Sequence, residues 1–392
     1  MASGGKRVAR LESRILNIQN VPSPCFVIET AKLKQNLALM QQVKAATGLK
    51  ILFAQKSFAS YSVYPLMAAV LDGVCASGLW EARLGSEEFD GEVHTYSPAY
   101  RDDEIEEIFK ISHTVVFNSA SQLSRYDDQI HRFRATTEIG IRINPECSVT
   151  ETAIYDPCSP GSRLGIRYAN LEDVDWRLVD GIHFHALCEQ DAFALEKVLT
   201  SVANRFSEAL NRVKWLNMGG GHFITQNGYD IGHFVQVINR FKHQYPHLQL
   251  YIEPGGAVVL NAGILVASVL DILPGTPKNA ILDISCTCHT PDVLEMPYRP
   301  RVLTEVPATD TPYVYQLGGV SCLAGDRFGE YGFDAPLNIG DKITFMDMAQ
   351  YSIVKTTMFN GVRHPSVALF DADTNALEII RTFSYNDFKN RL

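Results

Sequence analysis

A lysine closes the apolar run KILFAQK at position 56, and a lysine amine is the side chain that forms Schiff bases with carbonyl compounds. Strand alternation puts Lys56 on one face with Leu52 and Ala54, while Ile51, Phe53 and Gln55 face the other way. Further on, His183 and His185 stand two apart in GIHFHAL (181–187), a spacing that turns both imidazoles to one side of a strand. Such a pair can be core histidines, an HxH metal pair as in barrel hydrolases, or an imidazole laid on a flat cofactor ring. The spacing leaves all three open. Two glycine clusters follow: Gly219, Gly220 and Gly221 in NMGGGH (217–222), then Gly255 and Gly256 in IEPGGA (252–257). Glycines where a strand hands over to a helix let backbone N–H groups approach a phosphate. Glu253 precedes the second cluster as an acid at an apolar strand end. Beside a phosphate it needs a cation, and the protonated ring nitrogen of pyridoxal 5'-phosphate is one.

These residues need a frame that brings distant segments to one place. Between residues 28 and 256 the chain alternates short β-type runs with helical stretches. Thr30 opens a helix with Leu33, Leu37, Met40 and Val43 on one face, and Gly48 ends it. Strands are expected at 50–56, 73–77, 93–98, 113–118, 138–144, 181–187, 213–219 and 250–254. Alternating βα units imply a parallel sheet. Eight strands in about 250 residues imply closure into a (β/α)8 TIM-like barrel, with an open doubly wound sheet as the other arrangement. In such a barrel the site lies at the C-terminal strand ends, and phosphate is frequently held by the loops after strands seven and eight. Lys56, His185, both glycine clusters and Glu253 all fall there.

Past residue 256 the pattern changes to β-rich runs, AGILVASVLDIL, NAILDISC, TPYVYQLGG, DKITFMDM and PSVALFD, parted by Pro, Gly and Asp turns. The expected organisation is an α/β chain with a barrel over 28–256. A mainly antiparallel β domain covers 257–392, joined by residues 1–27.

Hydrophobic residues make up 46% of the 392, charged residues 20%, and the net charge is −9. That charge argues against a nucleic-acid surface, which needs a basic stripe. It is compatible with a cationic small substrate, and equally with simple solubility. No run approaches a membrane span, and MASGGKRVAR has no apolar core like that of a signal peptide. The eight cysteines are scattered without a CxxC pair, which reads as reduced thiols in a cytoplasm.

With Lys56, His185, Gly219 to Gly221 and Glu253 in that order, the chain resembles the alanine-racemase-like, fold type III pyridoxal-phosphate decarboxylases. These include the ornithine, diaminopimelate and carboxynorspermidine decarboxylases. FAQKSFA (53–59), FHALCE (184–189), HTPDVLEMPYRP (289–300), GGVSCLAGD (318–326) and FNGV (359–362) are most similar to the carboxynorspermidine/carboxyspermidine branch. The resemblance implies Lys56 as the Schiff-base lysine and His185 as the ring-stacking base. It implies that Gly219, Gly220, Gly221, Gly255, Gly256 and Tyr351 hold the phosphate, and that Glu253 holds the ring nitrogen. Cys322 and Asp326 would come from the partner subunit of a homodimer with shared sites, and Cys322 would return a proton after carbon dioxide leaves.

Three departures stand out. Ornithine decarboxylases carry HVGSG where this chain has His185-Ala-Leu-Cys-Glu189, an arginine where Gly256 stands, and an amine-gripping aspartate where Leu323 stands. Plain ornithine is therefore not the expected substrate. The reaction implied is carboxynorspermidine to norspermidine, or carboxyspermidine to spermidine, in polyamine biosynthesis. For such a polycation, Arg299 or His289 is expected at the carboxylate, and Glu189, Asp292, Glu295 and Asp326 at the ammonium groups. The other readings are decarboxylation of diaminopimelate or another basic amino acid, a non-catalytic cofactor carrier, and a barrel metallohydrolase. The last would use His183 and His185, perhaps with Cys286-x-Cys288-His289, yet adjacent CxCH ligands suit one tetrahedral zinc poorly. No metal is expected.

Overall fold

The computed structural model describes residues 16–150 and 152–392; MASGGKRVAR lies outside them. After β1 (Cys25–Glu29) and the helix Thr30–Thr47, eight strands form the framework: β2 (Lys50–Ala54), β3 (Gly73–Ala76), β4 (Glu92–Tyr96), β5 (Thr114–Phe117), β6 (Glu138–Arg142), β7 (Gly181–His183), β8 (Trp215–Asn217) and β9 (Gln249–Ile252). Each pairs in parallel with the next, and β2 meets β9 at Lys50↔Tyr251 to close a barrel. The expected barrel is present, strand for strand, and the sheet is closed.

The helix Thr30–Thr47 buries Leu33, Leu37, Met40 and Val43, and Gly48 ends it at φ 65°, the left-handed conformation glycine adopts without strain. Asp191 and Asp230 cap the helices Ala192–Arg205 and Ile231–Gln244 by accepting the backbone N–H of Ala194 and His233. Buried apolar faces press both helices onto the barrel, among them Leu195, Val198 and Val202 on the first and Phe234, Val237 and Ile238 on the second.

Inside the barrel Leu52, Val116, Trp215 and Tyr251 form one cluster, with Cys75 and Tyr96 against it. Trp215 dictates its neighbours. A Cβ at Gly181 would lie 1.9 Å from the indole, and one at Gly140 2.6 Å, so only glycine fits at these places on the neighbouring strands β7 and β6. Counting by twos from this cluster, the inward positions nearest the C-terminal strand ends are Tyr96, Arg142, His183, Asn217 and Glu253. A polar tier therefore rests on an apolar one.

The chain divides into two compact units. The barrel unit is Leu33–Leu260 together with Ala349–Lys355, and the β unit comprises the described residues up to Lys32, Asn261–Met348 and Thr356–Leu392. The β unit contains β1, β10 (Gly263–Leu273), β11 (Lys278–Leu282), β12 (Tyr313–Gly318), β13 (Arg327–Phe333), β14 (Lys342–Met346), β15 (Ser366–Asp371) and β16 (Ala376–Arg381). They form one sheet ordered β13-β12-β11-β10-β1-β15-β16, with β14 also on β10. Only β1/β15 and β11/β12 are parallel, so the sheet is mainly antiparallel, as expected. Among the described residues no helix is long and apolar enough to cross a membrane.

Candidate active site

Strand β2 stops at Ala54, and Lys56 sits on the single turn Gln55–Ser57 that follows, two residues beyond the strand it was expected to close. Hydrogen bonds explain the turn. Gln55 is fully buried, donates to the Glu81 carbonyl (2.8 Å) and accepts from the Tyr64 hydroxyl (3.1 Å). Ser57, also fully buried, donates to the Ala54 carbonyl (2.9 Å), and its own carbonyl accepts the Tyr351 N–H (2.8 Å). Lys56 alone of the three is exposed, its amine presented at the barrel's C-terminal end.

At the end of the adjacent strand β9 stands an acid held by its neighbours. Glu253 Oε1 accepts from Asn217 Nδ2 at 2.7 Å, and Oε2 lies 3.4 Å from His183 Nε2. Burial works to raise its carboxyl pKa, but His183, Asn217 and His94 outweigh that and hold it at about 2. The site thus contains a nearly buried carboxylate that stays charged. Asn217 serves twice, because its Oδ1 also accepts the Gly219 N–H (2.9 Å) and so starts the glycine loop.

The loop Gly219–Gly221 runs closely over the ends of β7 and β9. Gly219 and Gly221 adopt φ 68° and 86°, and a Cβ on them would strike the carbonyls of Phe184 and Leu187 at 2.4 and 2.1 Å. Gly220 donates its N–H to His185 Nδ1 (2.9 Å), which leaves the His185 proton on Nε2. Burial, followed by the cations Lys56 and Arg142, pushes the His185 pKa well below the ordinary histidine value, so its ring is neutral. At the second cluster, a Cβ on Gly255 would lie 2.5 Å from Ser57 Oγ. One on Gly256 would lie 2.1 Å from Gln350 Oε1, so the Gln350 amide takes the space beside the position where ornithine decarboxylases carry arginine.

Lys56, His185, Gly219, Gly220, Gly221, Glu253, Gly255, Gly256 and Tyr351 therefore all belong to the barrel unit at its C-terminal end. Glu189 is there too, exposed on a left-handed residue (φ 53°) after β7, and the neighbouring Cys188 thiol senses both Glu189 and Lys56. Sequence reasoning passed over Arg142, Asn217 and Tyr96. Arg142 stacks on the Tyr96 ring (4.6 Å to the centroid) and donates to the His185 carbonyl at 3.3 Å. Each is a polar residue two beyond an inward glycine, tryptophan or histidine, and that period-two signal identifies them.

The β unit treats its expected residues differently. Cys322 is exposed in the loop after β12, its N–H bonded to Asn360 Oδ1 (2.7 Å). Asp292 is half-buried and Glu295 exposed on the short helix Asp292–Glu295. Three of the expected substrate residues have partners within the β unit. Asp326 is buried, with its carboxylate accepting the N–H groups of Cys286 (2.6 Å) and Ser321 (3.1 Å), so it shapes the loop that carries Cys322. His289 is fully buried, accepts the Ser285 N–H through Nδ1, and is pushed down by burial to about 3, so it offers a substrate carboxylate no charge. Arg299 stacks on Tyr331 (3.8 Å), donates to the Glu330 carbonyl (2.8 Å) and pairs with Glu305, which occupies its guanidinium.

The barrel mouth fits pyridoxal phosphate. It offers a charged acid for a pyridinium, a neutral imidazole tied at Nδ1, glycine loops that a Cβ would block, and an exposed lysine. Two buried polar atoms beside them, Arg142 Nε and His183 Nδ1, have no hydrogen-bond partner. Among the described residues no three His, Cys, Asp or Glu side chains gather into a metal-ligand set.

The chain matches the family model described as pyridoxal-dependent decarboxylase, C-terminal sheet domain, over residues 25–349. It is 44% identical to a carboxyaminopropylagmatine decarboxylase of Synechocystis sp., over 96% of both chains. It is 42% identical to a carboxynorspermidine/carboxyspermidine decarboxylase of Campylobacter jejuni, over 95% of this chain and 99% of that one. The crystal structure of carboxynorspermidine decarboxylase from Campylobacter jejuni, complexed with norspermidine, superposes with a TM-score of 0.87 at 40% identity, covering 95% of this chain and 100% of that one.

Proposed function

The chain belongs to the pyridoxal-dependent decarboxylases, and on that premise we propose that it removes carbon dioxide from a carboxylated polyamine by means of the barrel-mouth residues. It is a carboxy-lyase of polyamine biosynthesis, acting on carboxynorspermidine, carboxyspermidine or both. The observation that carries the site assignment is Glu253, a nearly buried carboxylate held at about 2 beside an exposed lysine and a glycine cradle.

When bound, pyridoxal phosphate supplies a carbonyl carbon for covalent attachment of an amine and an electron-accepting ring. Lys56 would supply the amine that holds the cofactor's carbonyl carbon. Glu253, fixed by Asn217 and His183, holds a proton at the ring nitrogen. The neutral imidazole of His185, fixed at Nδ1 by the Gly220 N–H, would pack against the ring. The backbone N–H groups of Gly221, Gly255 and Gly256, with the Tyr351 hydroxyl, would receive the phosphate, while Gly219 and Gly220, whose N–H groups are given to Asn217 and His185, would shape the loop around it.

Cys322 from the partner subunit of a homodimer delivers the proton to Cα, a role its exposure permits. Glu189, exposed after β7 at the barrel's C-terminal end, is the foremost candidate for a substrate ammonium, and Asp292 and Glu295 follow. Eight free thiols suit a reducing cytoplasm.

The identity to the Synechocystis relative favours one further substrate, carboxyaminopropylagmatine. It shares the carboxylated aminopropyl head and ends in a guanidinium where the triamines end in an ammonium. Carbon dioxide release from purified enzyme decides between them, across carboxynorspermidine, carboxyspermidine, carboxyaminopropylagmatine, diaminopimelate and ornithine. Turnover of diaminopimelate alone would overturn the polyamine reading.

A further inference from the structure

Around Cys322 the β unit ties together three stretches distant in sequence: the loop 319–326, the short helix Cys286–His289 and the turn 357–361. Asp326 joins the first two, as its carboxylate accepts the N–H groups of Ser321 and Cys286. The helix joins the third, since the Cys288 carbonyl accepts the Thr357 N–H (2.8 Å) and the Cys288 thiol donates to the Phe359 carbonyl (3.5 Å). Asn360 closes the circuit. Its Oδ1 accepts the Cys322 N–H at 2.7 Å, across 38 residues of chain. Asn360 does so at φ 58°, a left-handed conformation that asparagine tolerates better than most side chains with a Cβ. Three successive N–H groups of the loop are thus committed: Val320 to the Ile284 carbonyl (3.0 Å), Ser321 to Asp326, and Cys322 to Asn360.

We propose that Asn360 is a positioning residue for the Cys322 thiol, acting through the Cys322 backbone, and that it governs where the proton goes after carbon dioxide leaves. This inference rests on the reading in which Cys322 returns that proton. Cys322 and Asn360 are both exposed, so water could serve either partner and burial does not demand the bond. What the bond does is fix a backbone. With its N–H held, Cys322 keeps one soft side-chain torsion, χ1, so the place of the sulfur follows from Asn360. Proton transfer needs the donor within hydrogen-bond reach, and a misplacement of about 1 Å can cost roughly 100-fold. Two carbons compete for this proton. On Cα it yields the amine and returns the cofactor as its aldehyde. On the cofactor's carbonyl carbon it strands the substrate nitrogen there; water then releases the substrate as an aldehyde, and the cofactor leaves as pyridoxamine phosphate, reduced by the electron pair the substrate lost. Asn360 favours the first outcome by denying the thiol other positions.

The test uses the full-length enzyme. Asn360→Gly removes the acceptor and leaves the left-handed turn unstrained, whereas Asn360→Asp keeps an oxygen in place. The first readout needs no cofactor: amide hydrogen exchange over residues 318–326. It should quicken about two- to tenfold in Asn360→Gly, the loss of one hydrogen bond, and keep the wild-type rate in Asn360→Asp. The second follows products from enzyme reconstituted with pyridoxal phosphate, on whichever carboxylated polyamine of the panel above wild type turns over fastest. The ratio of aldehyde to amine should rise about tenfold or more in Asn360→Gly, with pyridoxamine phosphate formed in step and KM unchanged. Asn360→Asp should restore the wild-type ratio, and Asn360→Gly combined with Cys322→Ala should go no higher than Cys322→Ala. If Asn360→Gly does not fold, Asn360→Ser decides, its oxygen one bond short of the Cys322 N–H. Wild-type exchange in the folded variant, or a wild-type product ratio beside a raised one in Cys322→Ala, overturns the inference. A wild-type ratio in Cys322→Ala overturns the reading of Cys322 as proton donor instead.

Discussion

Replacing Gly220 with alanine adds one methyl group, and the structure says where it goes. Its Cβ would lie 2.5 Å from the Glu253 carbonyl oxygen and 3.5 Å from His185 Cε1. Carbon–oxygen contacts under 3.0 Å do not persist, so loop and strand must part by at least about 0.5 Å. The Glu253 N–H is bonded to the Gly219 carbonyl at 2.8 Å, so the displacement falls on the phosphate loop and the ring acid together. The Gly220 hydrogen bond to His185 is strained as well, a bond worth about 0.5–1.5 kcal/mol. Together with misaligned phosphate contacts, this amounts to about 1.4–2.8 kcal/mol of cofactor affinity, a 10- to 100-fold rise in Kd for pyridoxal phosphate. The assay is titration of apoenzyme with the cofactor. Gly161→Ala serves as the control, since a Cβ there meets nothing within 4 Å. Equal Kd values for Gly220→Ala, Gly161→Ala and wild type would refute the placement of phosphate on this loop.

Glu253→Gln should keep a borohydride-stable adduct at Lys56 while kcat falls roughly 10- to 150-fold, the worth of a charge-assisted hydrogen bond; an unchanged kcat counts against the ring-nitrogen role. Asp326→Ala leaves the N–H groups of buried Cys286 and half-buried Ser321 without their acceptor, so it should cost about 1–3 kcal/mol of stability, seen as a lower Tm with the cofactor still bound; a raised KM at wild-type Tm would assign it to the substrate. His289 is depressed to about 3, so below the unfolded value of 6.5 the unfolded chain binds the extra proton and stability falls with pH. Denaturation of His289→Asn against wild type should therefore show a difference that shrinks between pH 6.5 and pH 5 by about 2 kcal/mol; a pH-independent difference contradicts this. Mixing Lys56→Ala chains with Cys322→Ala chains should restore activity if sites are shared, and verified mixed dimers without activity would remove Cys322 from the partner's site.

Period-two alternation made the barrel and its mouth legible before any coordinates. All eight strands stand where apolar runs alternate with helices, and Lys56, His185, Glu253 and both glycine clusters lie at their C-terminal ends. Alternation was carried too far at Lys56, where a buried glutamine and serine turn the chain after Ala54. It was carried too little at Arg142 and Asn217, inward polar residues overlooked beside more conspicuous histidines. In the β unit the difficulty is of another kind. An aspartate that accepts two backbone N–H groups and one that faces solvent are spelled alike, so Asp326 looked available. The partners of Arg299 were illegible for the same reason, because its stacking on Tyr331 and its pairing with Glu305 join residues whose proximity only the sheet creates. Gly256 shows the converse, since Gln350, which fills the space beside it, lies nearly a hundred residues away.

The central claim is that Lys56 carries the cofactor, and borohydride reduction of the reconstituted enzyme followed by peptide mapping tests it most directly. The account predicts one pyridoxyl label, on Lys56, absent from Lys56→Arg, and loss of decarboxylation in step with labelling. A label on any other lysine, or full activity in Lys56→Arg, would contradict it.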